Sequence, residues 1–131
     1  MKKRVNSVLA ALVLAGIALF LTVEGAKAFC VYNKTDKKIS VRQVEGHKMG
    51  HGLSVSIYPN GNECCNWQNK DCNKAGKKDS IVKFNVLESD GNIRPPELPE
   101  KKYCQYFAIQ AGGWLTVEGR DGNYKCVRHD Y

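Results

Sequence analysis

The sequence predicts a small all-β domain, a disulfide-stapled antiparallel β-sandwich or barrel of about six or seven strands. Three observations lead to this fold class. Short segments alternate apolar and polar residues, turn-forming glycines separate these segments, and all six cysteines follow residue 29. Beyond residue 28 the sequence contains no convincing amphipathic helical pattern, so strands are expected to build the whole core.

Alternation is clearest in two segments, whose apolar side chains should share one face of each strand. These side chains are Leu53, Val55 and Ile57 in the first segment, and Val82, Phe84 and Val86 in the second. Further strands are predicted at 29–35, 39–44, 106–110, 114–118 and 124–129. Asp121-Gly122-Asn123 should join the last two strands in a tight hairpin, because Asp-Gly supplies positive backbone dihedrals. The proline-rich stretch 89–102 is predicted to be extended and polyproline-like.

Residues 1–28 have the three-part layout of a secretory signal peptide. A basic start at 2–4 precedes an apolar run of sixteen uncharged residues, and Ala26 and Ala28 have the spacing that signal peptidase recognises. Sixteen residues fall short of the ~20 that a membrane-spanning helix requires. We therefore expect cleavage after Ala28, a single domain over 29–131, no permanent membrane anchor, and a secreted or periplasmic location.

Six cysteines in a small exported domain indicate a disulfide framework, because oxidising compartments hold thiols as cystines. They are Cys30, Cys64, Cys65, Cys72, Cys104 and Cys126. A bond between adjacent cysteines distorts the peptide that joins them, so Cys64 and Cys65 should bond two different partners. Cys104 and Cys126 are expected to pair, since both lie in strand-like segments. The spacing matches no common zinc cage.

The polar stretch 64–79 is predicted to be a cysteine-tied loop that binds a ligand, because loops on rigid scaffolds often carry binding residues. Trp67 lies among amides, which suits stacking on a sugar, although packing over the nearby disulfide is the alternative. The candidate ligand-binding residues are Trp67, Asn66, Gln68, Lys70, Lys77 and Lys78. Trp114, which begins an alternating strand, is expected to belong to the core.

The net charge of the domain without its signal peptide indicates which classes of ligand to expect. Removal of the signal peptide takes away four of the 20 Lys and Arg and one of the 13 Asp and Glu, so the net charge falls from +7 to +4. The remaining lysines favour an anionic polymer or glycan at the cell surface, or serve only solubility. Nucleic acid is not expected, because arginine is scarce, no RNA-recognition signature is present, and the compartment is wrong.

Two alternatives stay open. His47, Met49 and His51 alternate in a glycine-rich loop, 45–52, and imidazole and thioether are ligands that copper favours. The copper-binding alternative competes with a solvated loop that binds no metal, and no other cofactor is expected. Catalysis has little support, because the common nucleophile, zinc and phosphate-loop motifs are absent. A small hydrolase would need acid and base residues that only folding brings together. The favoured function is therefore non-catalytic binding of an anionic or glycan ligand at the cell envelope or surface.

Overall fold

The computed structural model describes residues 28–89 and 101–131, which form eight β-strands and, within those ranges, no helix. The strands are β1 Ala28–Thr35, β2 Ile39–Glu45, β3 Ser54–Ile57, β4 Asn62–Asn66, β5 Ile81–Glu88, β6 Lys102–Gln110, β7 Trp114–Arg120 and β8 Asn123–His129. The predicted signal peptide, apart from Ala28, and most of the predicted proline-rich stretch lie outside the described residues. Nowhere in the described part is there a helix that could span a membrane.

Two four-stranded sheets pack together, with strand orders β4-β1-β7-β8 and β3-β2-β5-β6. This arrangement confirms the predicted all-β sandwich. All paired strands are antiparallel except β1 and β7, which run parallel. A parallel pair requires a long crossover connection, and here the connection from β1 to β7 contains the strands of the second sheet.

The core lies between the sheets and is built from the alternating apolar positions. Val82, Phe84 and Val86 are fully buried, as predicted, and Phe84 packs edge-on against Phe29 of β1 with ring centroids 5.6 Å apart. Ile57 is also buried, while Leu53 and Val55 are partly buried against the same core. Side chains at intervening positions point away from the core, which leaves each sheet an outer face.

One strand was not predicted. The stretch 64–79 was expected to be loop throughout, but Cys64 and Cys65 belong to β4, which pairs antiparallel with β1. Polar side chains hide this strand because β4 is an edge strand with little buried surface. The loop proper therefore begins at Trp67, and β6 begins earlier than its predicted start near residue 106.

Three disulfides join the cysteines, with no free cysteine in the described residues. The pairs are Cys30–Cys64, Cys65–Cys72 and Cys104–Cys126. The expected Cys104–Cys126 bond is confirmed, and it joins the two sheets by linking β6 to β8. The expectation that Cys64 and Cys65 bond different partners is also confirmed. These bonds suit an oxidising environment.

The predicted β7–β8 hairpin is present, and Arg120 pairs with Asn123 across its two-residue turn. Asp121 and Gly122 have φ values of 53° and 92°. Two successive positive φ values are the requirement of a type I′ hairpin, which explains the Asp-Gly dipeptide.

Candidate functional site

The loop after β4 is held by a buried asparagine. Asn73 is fully buried, and its Nδ2 donates hydrogen bonds to the carbonyl oxygens of Trp67 and Lys77 at 2.7 and 3.0 Å. The Ser80 hydroxyl donates to Asn73 Oδ1 at 2.7 Å. Hydrogen bonds to a buried side-chain amide fix a loop, because breaking them would leave polar groups unpaired. The loop is therefore a rigid part of the fold.

Trp67 is half-buried and packs against the core rather than standing free on the loop. Its neighbours Asn66 and Gln68 are exposed, and Asn66 Oδ1 accepts a hydrogen bond from the Gln68 backbone N–H at 2.9 Å. The amides thus shape the turn beside Trp67. A ligand-binding role for these three residues stays a prediction.

The predicted lysines separate into two groups. Lys70 and Lys77 are exposed, and the side chain of Lys70 passes over Gly76. Lys78 instead turns toward the β6–β7 connection, where its carbonyl oxygen accepts a hydrogen bond from Gly112 N–H at 2.8 Å. Its ammonium Nζ lies 3.8 Å from the centre of the Tyr131 ring, a cation–π contact.

Lys78 and three aromatic side chains line a cavity of about 170 Å³, called here the aromatic cavity. The aromatic residues are Tyr32, Trp114 and Tyr131. Trp114 is 39 % exposed and Tyr131 is 58 % exposed, so part of each side chain is open to solvent. The expectation that Trp114 belongs to the core is wrong. Leu115 and Val117 take the inward positions of β7, so alternation places Trp114 on the outer face.

Two glycines allow the walls of this cavity to approach each other. A side chain at Gly112 would collide with Lys78 and Tyr131, and one at Gly113 would collide with the His129 carbonyl. Trp114 itself is braced by His129, whose ring stacks on the indole at 4.8 Å with an angle of 7° between planes. His129 Nε2 and Thr116 Oγ1 are 3.1 Å apart, within hydrogen-bond distance.

The predicted copper residues lie in a turn that packs against the loop 67–79, called here the cysteine loop. Lys48 N–H donates to the Asp71 carbonyl at 3.1 Å, and Lys74 N–H donates to the Gly46 carbonyl at 2.7 Å. His47 packs against Gly52, and its Nδ1 is buried without a hydrogen-bond partner among the described residues. Met49 is 93 % exposed. Copper binding by this turn stays a prediction.

The His51 ring lies near Asp71 of the cysteine loop, with Nδ1 3.8 Å from Asp71 Oδ1. Both residues, with Asn69 and Cys64, line a second cavity of about 380 Å³, called here the polar cavity. Across 28–89 and 101–131, no group of three or more His, Cys, Asp or Glu is arranged to hold a metal ion.

A tyrosine cluster lies at the other end of the sandwich. Tyr124 donates its hydroxyl hydrogen to Asp36 Oδ1 at 2.7 Å, which lowers the pKa of Asp36 and raises that of Tyr124. Tyr103 stacks on Tyr124 with centroids 4.3 Å apart. Burial raises the pKa of Tyr103 far above its ordinary range, and the nearby Glu88 carboxylate acts in the same direction. This cluster joins β6 and β8 beside their disulfide and is best explained as structural.

No protein-family model, curated protein or solved structure matches this chain significantly. The arrangement of its own residues is therefore what supports a function.

Lys78 was among the residues predicted to bind a ligand, whereas the three aromatic residues that line the cavity with it were not. Tyr32 and Tyr131 lie at opposite ends of the chain beyond residue 28, so no local pattern links them. For Trp114 the local sequence was misleading. The Leu-Thr-Val that follows alternates like a core strand, but this alternation does not fix which face of the strand Trp114 takes.

Proposed function

We propose that this chain is a secreted or periplasmic, non-catalytic binding protein that recognises an anionic glycan of the cell envelope or surface. The observation that carries the proposal is the aromatic cavity, where exposed Trp114 and Tyr131 rings adjoin the Lys78 ammonium. Indole and phenol rings offer flat apolar faces for the C–H groups of a sugar, while their polar ends stay in water. A lysine ammonium supplies the charge that an acidic substituent requires.

Preorganisation supports the same proposal. The Lys78 backbone is held by the Gly112 hydrogen bond and its ammonium lies over the Tyr131 ring, while the Trp114 ring stacks on His129. Side chains that are already ordered lose less conformational entropy when a ligand binds. Of the residues that the sequence predicts to bind a ligand, the proposal retains Lys78. It assigns the stacking role to Trp114.

The test is calorimetric titration of the oxidised protein with galacturonic acid oligomers, using their methyl esters as neutral partners of the same length. We expect binding of the acid and about tenfold weaker binding by Trp114→Ala, since truncated tryptophans at binding centres cost this much or more. Lys78→Met should abolish the preference for the acid over the ester. Tyr58→Ala removes an exposed ring elsewhere on the surface and should bind normally.

Unchanged binding in Trp114→Ala would remove the cavity as the site. The hydrolase alternative predicts that the oligomers are cut into shorter products during the same titration. The copper alternative predicts heat on addition of Cu(I) or Cu(II) that disappears when His47→Ala and His51→Ala are combined. In that case metal binding would replace glycan recognition as the leading function.

A further inference from the structure

The aromatic cavity and the polar cavity adjoin each other through one disulfide. Cys30 lines the aromatic cavity and Cys64 lines the polar cavity, and these two residues are bonded. The Cys30–Cys64 cystine thus contributes one cysteine to the lining of each cavity. A ligand long enough to pass over this disulfide would contact both cavities.

The strand register aligns the disulfide with Trp114, so a ligand that passes over both would follow a straight line across the sheet. His129 pairs with Trp114, Trp114 pairs with Cys30, and Cys30 pairs with Cys64. The four residues form one row across all four strands of the sheet, on the outer face that Trp114 occupies. Neighbouring strands are 4.7–4.9 Å apart, so Trp114 and Cys64 are separated by about 10 Å.

Side chains of complementary chemistry line the two cavities that this row links. Trp114 and Lys78 at one end offer an aromatic face and a positive charge. At the other end, His51 and Asp71 offer ring nitrogens and carboxylate oxygens for hydroxyl groups, and both are about half exposed, at 50 % and 53 %. The backbone bond between Lys48 and Asp71 fixes the second end relative to the cysteine loop.

We propose that the ligand is a linear oligosaccharide that lies across the strands, with one acidic unit in the aromatic cavity and a later unit in the polar cavity. This inference rests on the proposed function and specifies it further, since a single sugar ring would fill the aromatic cavity alone. Two linked contacts strengthen each other, because the second becomes intramolecular once the first has formed.

The experiment titrates the oxidised protein with galacturonic acid oligomers of one to six units in which one unit is the free acid and the others are neutral methyl esters. Affinity should rise with length until the row is covered and then level off. His51→Ala combined with Asp71→Ala should weaken binding of the hexamer by roughly tenfold and leave the single sugar unaffected. Lys125→Ala changes a residue of β8 that pairs with Glu118, away from the His129–Trp114 pair of the row, and this matched control should bind every length normally.

Each outcome separates the two proposals. Binding that depends on Trp114 but not on oligomer length, or that ignores the His51 and Asp71 changes, overturns the extended site and leaves the glycan-binding proposal standing. Absence of binding at every length overturns both. Equal thermal unfolding of the double variant and the unmodified protein is the folding control.

Discussion

The two tryptophans of this chain occupy regions of opposite character. Trp67 follows an edge strand in a polar, lysine-rich loop, yet it packs half-buried against the core. Trp114 begins a central strand of alternating apolar residues, yet it stands on the outer face beside an open cavity. The comparison teaches that the polarity of neighbours in sequence does not decide which tryptophan is available to a ligand. Disulfides and strand register decide it.

The loop around Trp67 should be the more fragile region. Asn73→Ala removes three hydrogen bonds from a buried position and takes the Asn73 amide away from the Trp67 carbonyl oxygen, so we expect a loss of about 2–4 kcal/mol in the free energy of unfolding. Denaturant unfolding under oxidising conditions measures this loss. Asn69→Ala alters an exposed asparagine of the same loop and should cost much less. Equal losses in the two variants would show that the loop does not depend on Asn73.

The tryptophans themselves give the sharpest comparison. Trp67→Ala should lower the free energy of unfolding by roughly 1–3 kcal/mol, less than a fully buried ring would, and leave oligosaccharide binding intact. Trp114→Ala should weaken binding and cost less stability, since more of its surface already faces water. Chemical unfolding and calorimetry on both variants measure the two effects. Loss of binding in Trp67→Ala at unchanged stability would return the site to the cysteine loop.

A substitution in the glycine turn beside Trp114 should have a smaller effect on oligosaccharide binding. Gly113→Ala forces the chain apart where the His129 carbonyl approaches, which should disturb the Trp114–His129 stack and weaken oligosaccharide binding a fewfold. Near-ultraviolet circular dichroism would report the change around the indole. Gly76→Ala is a control glycine on the cysteine loop with positive φ but no backbone contact, and it should leave the indole signal unchanged.

The tyrosine cluster should show the smallest effect, visible mainly at extremes of pH. The bond to Tyr124 lowers the pKa of Asp36 from 3.8, so its stabilisation is present above that value and is lost as pH falls further. The raised pKa of Tyr124 adds stabilisation below its ordinary value of 10 that is lost as pH rises beyond it. Tyr124→Phe should therefore be less stable than the unmodified protein between these limits, with the difference shrinking outside them.

Thermal unfolding across pH 2 to 11 would measure this difference. Tyr58→Phe, a change at another exposed tyrosine, should show no such dependence. A constant difference between Tyr124→Phe and the unmodified protein at every pH would mean that the Asp36 bond contributes nothing through ionisation.

Much of the scaffold was predictable because it depends on local periodicity. Alternation identified the buried face of β5, and Asp121-Gly122 identified the hairpin, since each signal is contained within a few residues. β4 was missed because an edge strand with polar side chains has no alternation to detect. The direction of β1 against β7 was missed because nothing local specifies which distant strand becomes a neighbour.

The sequence by itself determined an all-β, disulfide-bonded domain, with Lys78 among its candidate binding residues. Only the tertiary structure decided that Lys78, Tyr32, Trp114 and Tyr131 line one cavity, and that the Cys30–Cys64 cystine contributes to this cavity and to the one lined by His51 and Asp71. The physical reason is the range of the interactions. Propensity and turn chemistry act between neighbours in sequence, whereas a binding site is made by strand register and disulfides that join residues far apart in the chain.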